Sequence, residues 1–132
     1  MTLTNENNFK YLEGDWEKLI PFKFDRIVDS SRGLEIFVSG TQGNTMQGVF
    51  SFESYYGYRN FDEGDLLLRW QQIGMLRSGF YAAERSELLD WAAAQSPYGT
   101  LPEGLTNYLF VSIEDVLDIL AFDPPNFIFT DW

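Results

Sequence analysis

The sequence contains neither cysteine nor histidine. Without cysteine there is no disulfide, no thiolate nucleophile and no cysteine metal site. Without histidine the commonest general base and a favoured transition-metal ligand are missing. Ser-His-Asp and Cys-His chemistry and the usual zinc sites are thereby excluded, which leaves only carboxylate, Lys, Tyr, Ser or Thr chemistry. Basic residues are also scarce. Nine Lys and Arg stand against 20 Asp and Glu, a net charge of −11. Such a surface repels nucleic acid, whose phosphates are bound by clustered Lys and Arg, and it repels anionic membranes for the same reason. A basic partner is attracted, with a faster encounter at low salt.

No apolar run approaches the roughly 20 residues of a membrane helix. The longest clusters, Leu66-Leu67-Leu68 and Tyr108-Leu109-Phe110-Val111, are strand-sized. Met1 to Lys10 is polar and lacks the hydrophobic segment of a secretory signal. A cytoplasmic location is therefore expected, and the absence of cysteine fits it. No glycine-rich phosphate loop is present: Gly40-Thr41-Gln42-Gly43 lacks the spacing and the lysine of a P-loop and reads as a turn. No linker, low-complexity tract or repeat divides the chain.

What is abundant is aromatic: 12 Phe, 7 Tyr and 4 Trp in 132 residues. A disordered chain is poorer in such side chains. The expectation is one domain over residues 1–132 with an aromatic core, residues 1–8 forming a flexible polar arm. Tyr11 to Ile20 reads as a short helix or an irregular lead-in ended by Pro21. Alternation of Phe22, Phe24 and Arg26 with Lys23 and Asp25 predicts a strand over 22–28. A turn at 29–33 and a strand over Leu34 to Ser39 follow. The clearest strand runs from Gln47 to Asn60. Its period of two places Phe50, Phe52, Tyr56 and Tyr58 on a core face and Glu53, Tyr55 and Arg59 on the other. Leu66 to Gln72 continues as strand or short helix.

Phe80 to Glu84 predicts another strand. Ser86 then reads as the N-cap of a helix whose apolar face is Leu88, Leu89, Ala92 and Ala93, with Glu87 and Asp90 near the positive end of its dipole. Trp91 lies beside that stripe and is expected to be half-buried. Ser96-Pro97-Tyr98-Gly99 stops the helix. Tyr108 to Ile113 is a strand. Glu114-Asp115 is either a hairpin turn before a strand over Val116 to Phe122 or the start of a helix to Leu120. Phe127 to Phe129 suits a last edge strand. The sum is an α+β fold, a mostly antiparallel twisted sheet with one or two helices packed on it.

Charge is unevenly spread. The last basic residue is Arg85, and Ser86 to Trp132 carries eight acids and no base, whereas Met1 to Arg85 carries 9 − 12 = −3. Glu114, Asp115 and Asp118 are the candidate centre of an acidic docking face, with Asp62, Glu63 and Asp65 as a second cluster. The turn Asp62-Glu63-Gly64-Asp65 does not match the spacing of a calcium loop. The pairs Glu114/Asp115 and Asp118/Asp123 qualify for acid–base work only in a pocket that separates their pKa values. No catalytic group, metal or cofactor is expected.

Several motifs share an order and spacing from about residue 48 to residue 128. They are Phe50-Ser51-Phe52-Glu53-Ser54-Tyr55 through Tyr58-Arg59 with Asp62-Glu63, and Gly79-Phe80-Tyr81 leading to Glu84-Arg85-Ser86-Glu87-Leu88-Leu89-Asp90-Trp91. Asn107-Tyr108-Leu109-Phe110-Val111-Ser112, then Asp115-Val116-Leu117-Asp118-Ile119-Leu120 and the prolines at 124 and 125, complete the series. In these the chain resembles immunity proteins of contact-dependent inhibition and related polymorphic toxin systems. That resemblance implies a bacterial, non-enzymatic inhibitor of a cognate toxin domain, often a nuclease. A basic substrate groove on such a toxin is what an acidic partner would cover. The alternative expectation is a small-ligand binding domain with an aromatic-lined cavity.

Overall fold

A computed structural model describes residues 9–61, 77–113 and 115–130. The expected arm at 1–8, the Leu66 to Gln72 segment, Asp62, Glu63, Asp65 and Glu114 lie outside the described residues. The fold is α+β and the strands pair antiparallel throughout, in two sheets rather than one. Strands β1 (Lys10–Tyr11), β5 (Gly57–Phe61), β6 (Gly79–Ala83), β7 (Thr106–Val111) and β8 (Val116–Ala121) form the larger sheet, in the order β1-β6-β7-β8-β5. Strands β2 (Phe22–Ser30), β3 (Gly33–Gly40), β4 (Gln47–Phe52) and β9 (Asn126–Thr130) form the smaller, in the order β2-β3-β4-β9. One α-helix, α1 (Glu87–Gln95), lies among the described residues, and a 3-10 turn at Asp15–Leu19 occupies the segment where helix and irregular chain were both expected.

The long strand expected over 47–60 is two strands in different sheets. β4 ends at Phe52, and the chain crosses through Glu53–Tyr56 to the far edge of the larger sheet. Phe50 and Phe52 are buried as the alternation demands, but Tyr56 and Tyr58 are 49% and 42% exposed. Tyr58 does keep the inward parity, opposite Ile119, yet β5 is an edge strand and its inward face is only partly covered. Tyr56 belongs to the crossing itself. Arg26 departs from its expected parity too. A bulge between Phe24 and Arg26 shifts the register, so that Ile27 faces the core and the Arg26 guanidinium lies 4.2 Å over the Phe37 ring. At the β2–β3 hairpin Gly33 has φ of 107°, and a Cβ there would collide with the Phe52 carbonyl, so two separate constraints select glycine.

The sheets pack face to face over aromatic rings. Phe80 and Phe110 stack at 4.4 Å on the larger sheet, and Phe50 of the smaller meets them at 5.3 and 4.8 Å. Phe52 reaches Tyr108 at 5.5 Å. Trp16 closes one side against Phe50, Phe80 and Phe127, its indole N–H donating to the Leu12 carbonyl. Leu34, Ile36 and Val38 of β3 and Leu117, Ile119 and Ala121 of β8 fill the rest. The outer face of the larger sheet is buried as well. There Leu120 packs with Leu88 and Leu89 of α1 and with Leu105, while Tyr81, Leu109, Val111 and Val116 form a separate cluster.

Several phenols are held in their protonated form. Asp29 accepts a hydrogen bond from Tyr55 and pushes its pKa up to about 12. Burial raises Tyr11, Tyr81 and Tyr108; Glu17 adds to the effect at Tyr11 and Asp123 at Tyr108. A folded pKa above the unfolded value of about 10 contributes stability that is complete below pH ~10 and is lost as pH rises through the folded value. Ultraviolet titration should therefore show part of the tyrosine signal ionising well above that of the denatured chain, with stability falling over the same window. Coincident native and denatured titrations would contradict the contacts. Phe50→Ala should cost about 3–5 kcal/mol in denaturant unfolding, whereas Tyr56→Ala, on the exposed crossing, should stay within about 0.5 kcal/mol of wild type. Equal losses would mean that the sheet faces are misassigned.

Candidate docking face

Ser86 ends the turn after β6 and caps α1: its Oγ accepts the Leu89 N–H at 3.1 Å, as the expected N-cap requires. The same hydroxyl donates to Asn107 Oδ1 at 2.8 Å. Asn107 Nδ2 donates to Asp118 Oδ1 and to the Tyr108 carbonyl, both at 3.1 Å. Asp118 Oδ2 in turn lies 3.8 Å from Arg59 on β5. Ser86, Asn107 and Asp118 are all buried. A polar chain thus runs beneath the helix from its first turn, across β7 and β8, to the edge strand. The asparagine's orientation is fixed because its carbonyl faces a donor and its amide faces two acceptors.

Anchoring one end of a two-and-a-half-turn helix decides what its other side presents. Leu88, Leu89 and Ala92 pack inward. Glu87, Asp90, Trp91 and Ala94 fall on the outer side, and all four are exposed. Trp91 is 60% exposed, more than the half-burial expected, because it sits a full turn beyond Glu87 on the outward face. Tyr98 follows in the next turn and is 89% exposed. Glu84 directly follows β6, Glu103 precedes β7 by three residues, and Asp123 follows β8 by two. Antiparallel pairing brings those three strand ends to one end of the sheet, and the chain between Ser86 and Thr106 carries no basic residue.

The expected acidic centre is arranged differently. Asp118 is fully buried in β8, so its carboxylate is a structural acceptor and not part of an exposed face. Asp115 is half-buried in the β7–β8 turn, where its carboxylate accepts the Ser112 hydroxyl at 2.6 Å and its N–H donates to that hydroxyl. That turn lies at the opposite end of β7 from Glu84 and Glu103, roughly 17 Å away at about 3.4 Å per residue. The region 116–121 is strand, not helix. Trp91 and Tyr98 were not among the expected site residues. Their signal was present, since both are large aromatics outside the apolar stripe of the helix, in a stretch whose charged residues are all acidic.

Among the described residues no group of three or more Asp or Glu is placed to hold a metal ion, and no helix is long and apolar enough to cross a membrane. Compared with known protein families, curated proteins and solved structures, the chain finds no match in any of the three. Asn107→Ala would leave the Ser86 hydroxyl and Asp118 Oδ1 each short of a buried partner. It should cost about 1–3 kcal/mol in denaturant unfolding and speed hydrogen exchange at the Leu89 amide. A variant with wild-type stability and unchanged exchange would show that the helix is held without this chain of bonds.

Proposed function

We propose that the chain is a non-enzymatic binding protein, an immunity protein that docks on and neutralises a basic bacterial toxin domain of nuclease type. The observation that carries this reading is the outer side of α1 and the turn after it. Two large aromatics, Trp91 and Tyr98, are exposed there, and the same stretch carries the exposed acids Glu87, Asp90 and Glu103 with no basic residue between Ser86 and Thr106. Trp and Tyr are the residues that most often anchor interfaces. Surrounding acids steer a basic partner and select against acidic ones. The net charge of −11, the absence of His and Cys and the motif series from about residue 48 to residue 128 support the same reading. A groove built to bind phosphates offers the matching surface: clustered cations that an acidic face can cover.

The partner is sought first in the coding sequence next to this one, as the variable carboxyl-terminal domain of a large secreted protein. Association with that domain is measured against ionic strength. Trp91→Ala should raise the dissociation rate about tenfold or more, a loss of ~1.4 kcal/mol or greater. Replacing Glu87, Asp90 and Glu103 with Gln, Asn and Gln should slow association and flatten its salt dependence, while the fold survives. Unchanged rates and salt slopes in both variants would remove this face from the interface.

A further inference from the structure

A second feature lies on the inner face of the larger sheet, at the end where β6 stops and β7 begins. Successive inward positions of β6 are Phe80 and Ala82. Phe80 completes the ring stack with Phe110. Ala82, one row further, supplies a single methyl group. Its cross-strand neighbours are Lys10 on β1 and Tyr108 on β7, which share its face. On β6 the aromatic filling therefore stops one row short of the sheet end, and beside Tyr108 a hollow of about 580 Å³ remains. That volume falls within the roughly 300–1,000 Å³ of small-molecule sites.

The lining has three parts. Ala82 and Leu12 give an apolar shelf. Thr106 and Tyr108 bring hydroxyls, and burial together with the nearby Asp123 keeps the Tyr108 phenol neutral. Lys10, Arg85 and Glu84 stand at the rim, all exposed, and none makes an ion pair with a described residue. The two cations Lys10 and Arg85 are balanced by Glu84 and the nearby Asp123, which leaves the rim close to neutral in a chain whose net charge is −11. Lys10 and Arg85 thus stand together in a molecule of the opposite overall sign. A neutral ligand would gain nothing from them. A polyanion such as a nucleotide would meet Glu84, Asp123 and the general negative field. Among the described residues Tyr108 is the one aromatic side chain that lines the hollow, so their contribution to recognition is by shape and charge and not by an aromatic cage.

We propose that this hollow binds a small monoanion with an apolar body, of the aryl or short-chain carboxylate class, with the body on Ala82 and Leu12 and the anionic group between Lys10 and Arg85. This site is separate from the α1 face and does not depend on the docking role. The probe is anilinonaphthalene sulfonate, an aromatic monoanion, followed by fluorescence, with 2-naphthoate and its neutral isostere 2-naphthamide as competitors. Saturable one-site binding is expected, displaced by naphthoate and at least about tenfold less effectively by naphthamide. Ala82→Phe should fill the hollow and abolish binding. Lys10→Gln with Arg85→Gln, both at exposed positions, should weaken it about tenfold with unchanged melting, and Trp91→Ala should leave it intact. Absence of saturable binding, equal displacement by the two competitors, or full binding by the Lys10/Arg85 double variant would overturn the proposal.

Discussion

A buried asparagine must satisfy a carbonyl and two amide protons without help from bulk water, and at Asn107 that requirement ties the helix to the sheet. Its carbonyl accepts from Ser86, the residue that caps α1, and its amide donates to Asp118 in the neighbouring strand. Each partner is itself committed: Ser86 to the Leu89 amide and Asp118 to Arg59. Apolar packing of Leu88 and Leu89 on Leu105 and Leu120 holds α1 on the sheet but is tolerant of sliding. Directional bonds at the first turn select one position. The outward display of Trp91, Asp90 and Glu87 follows from that choice.

The other side of the larger sheet is governed by ring shape. Phe50, Phe80 and Phe110 occupy the middle of the sandwich with centroids between 4.4 and 5.3 Å apart. Such a core is dense where the rings lie and empty where they stop, because interiors this closely packed do not flow to fill a gap. The stop comes at Ala82. A sheet whose two faces are both buried, one under a helix and one under a second sheet, thus offers two different surfaces at one end: an acidic one outside, on the helix, and a hollow with Lys10 and Arg85 at its rim inside.

Much of this was legible in the amino-acid order. The N-cap at Ser86, the helix after it, the strands at 80–84 and 108–113 and the last edge strand at 127–129 all follow local rules of capping and alternation, and the structure has them. The division into two sheets was not legible. Phe50, Phe52, Tyr56 and Tyr58 keep one parity across 47–60 with only Ser54 between them, and the pairing of Gly57–Phe61 with β8 reveals that the chain changes sheets. The Phe24/Arg26 bulge is likewise a product of pairing with β3. Residue type alone places Asp118 at the surface, where most acids lie, but it is fully buried. Its neighbours Val116, Leu117, Ile119 and Leu120 gave the opposite signal, that of a strand buried on both faces. Trp91 lies beside the apolar stripe in sequence, which suggests half-burial, but the helix places it a full turn beyond Glu87 on the outward face.

In the proposed function, recognition falls to the outer side of α1, held in place by buried hydrogen bonds, with charge setting the approach and two aromatics making the contact. Such a face should change little in backbone shape on binding. Hydrogen–deuterium exchange of the chain with and without its basic partner tests that assignment most directly. Added protection should concentrate between Glu87 and Glu103, with little change in the outer face of the smaller sheet or in the Ser112–Asp115 turn. Protection centred on that turn or on the smaller sheet, with α1 unaffected, would contradict it.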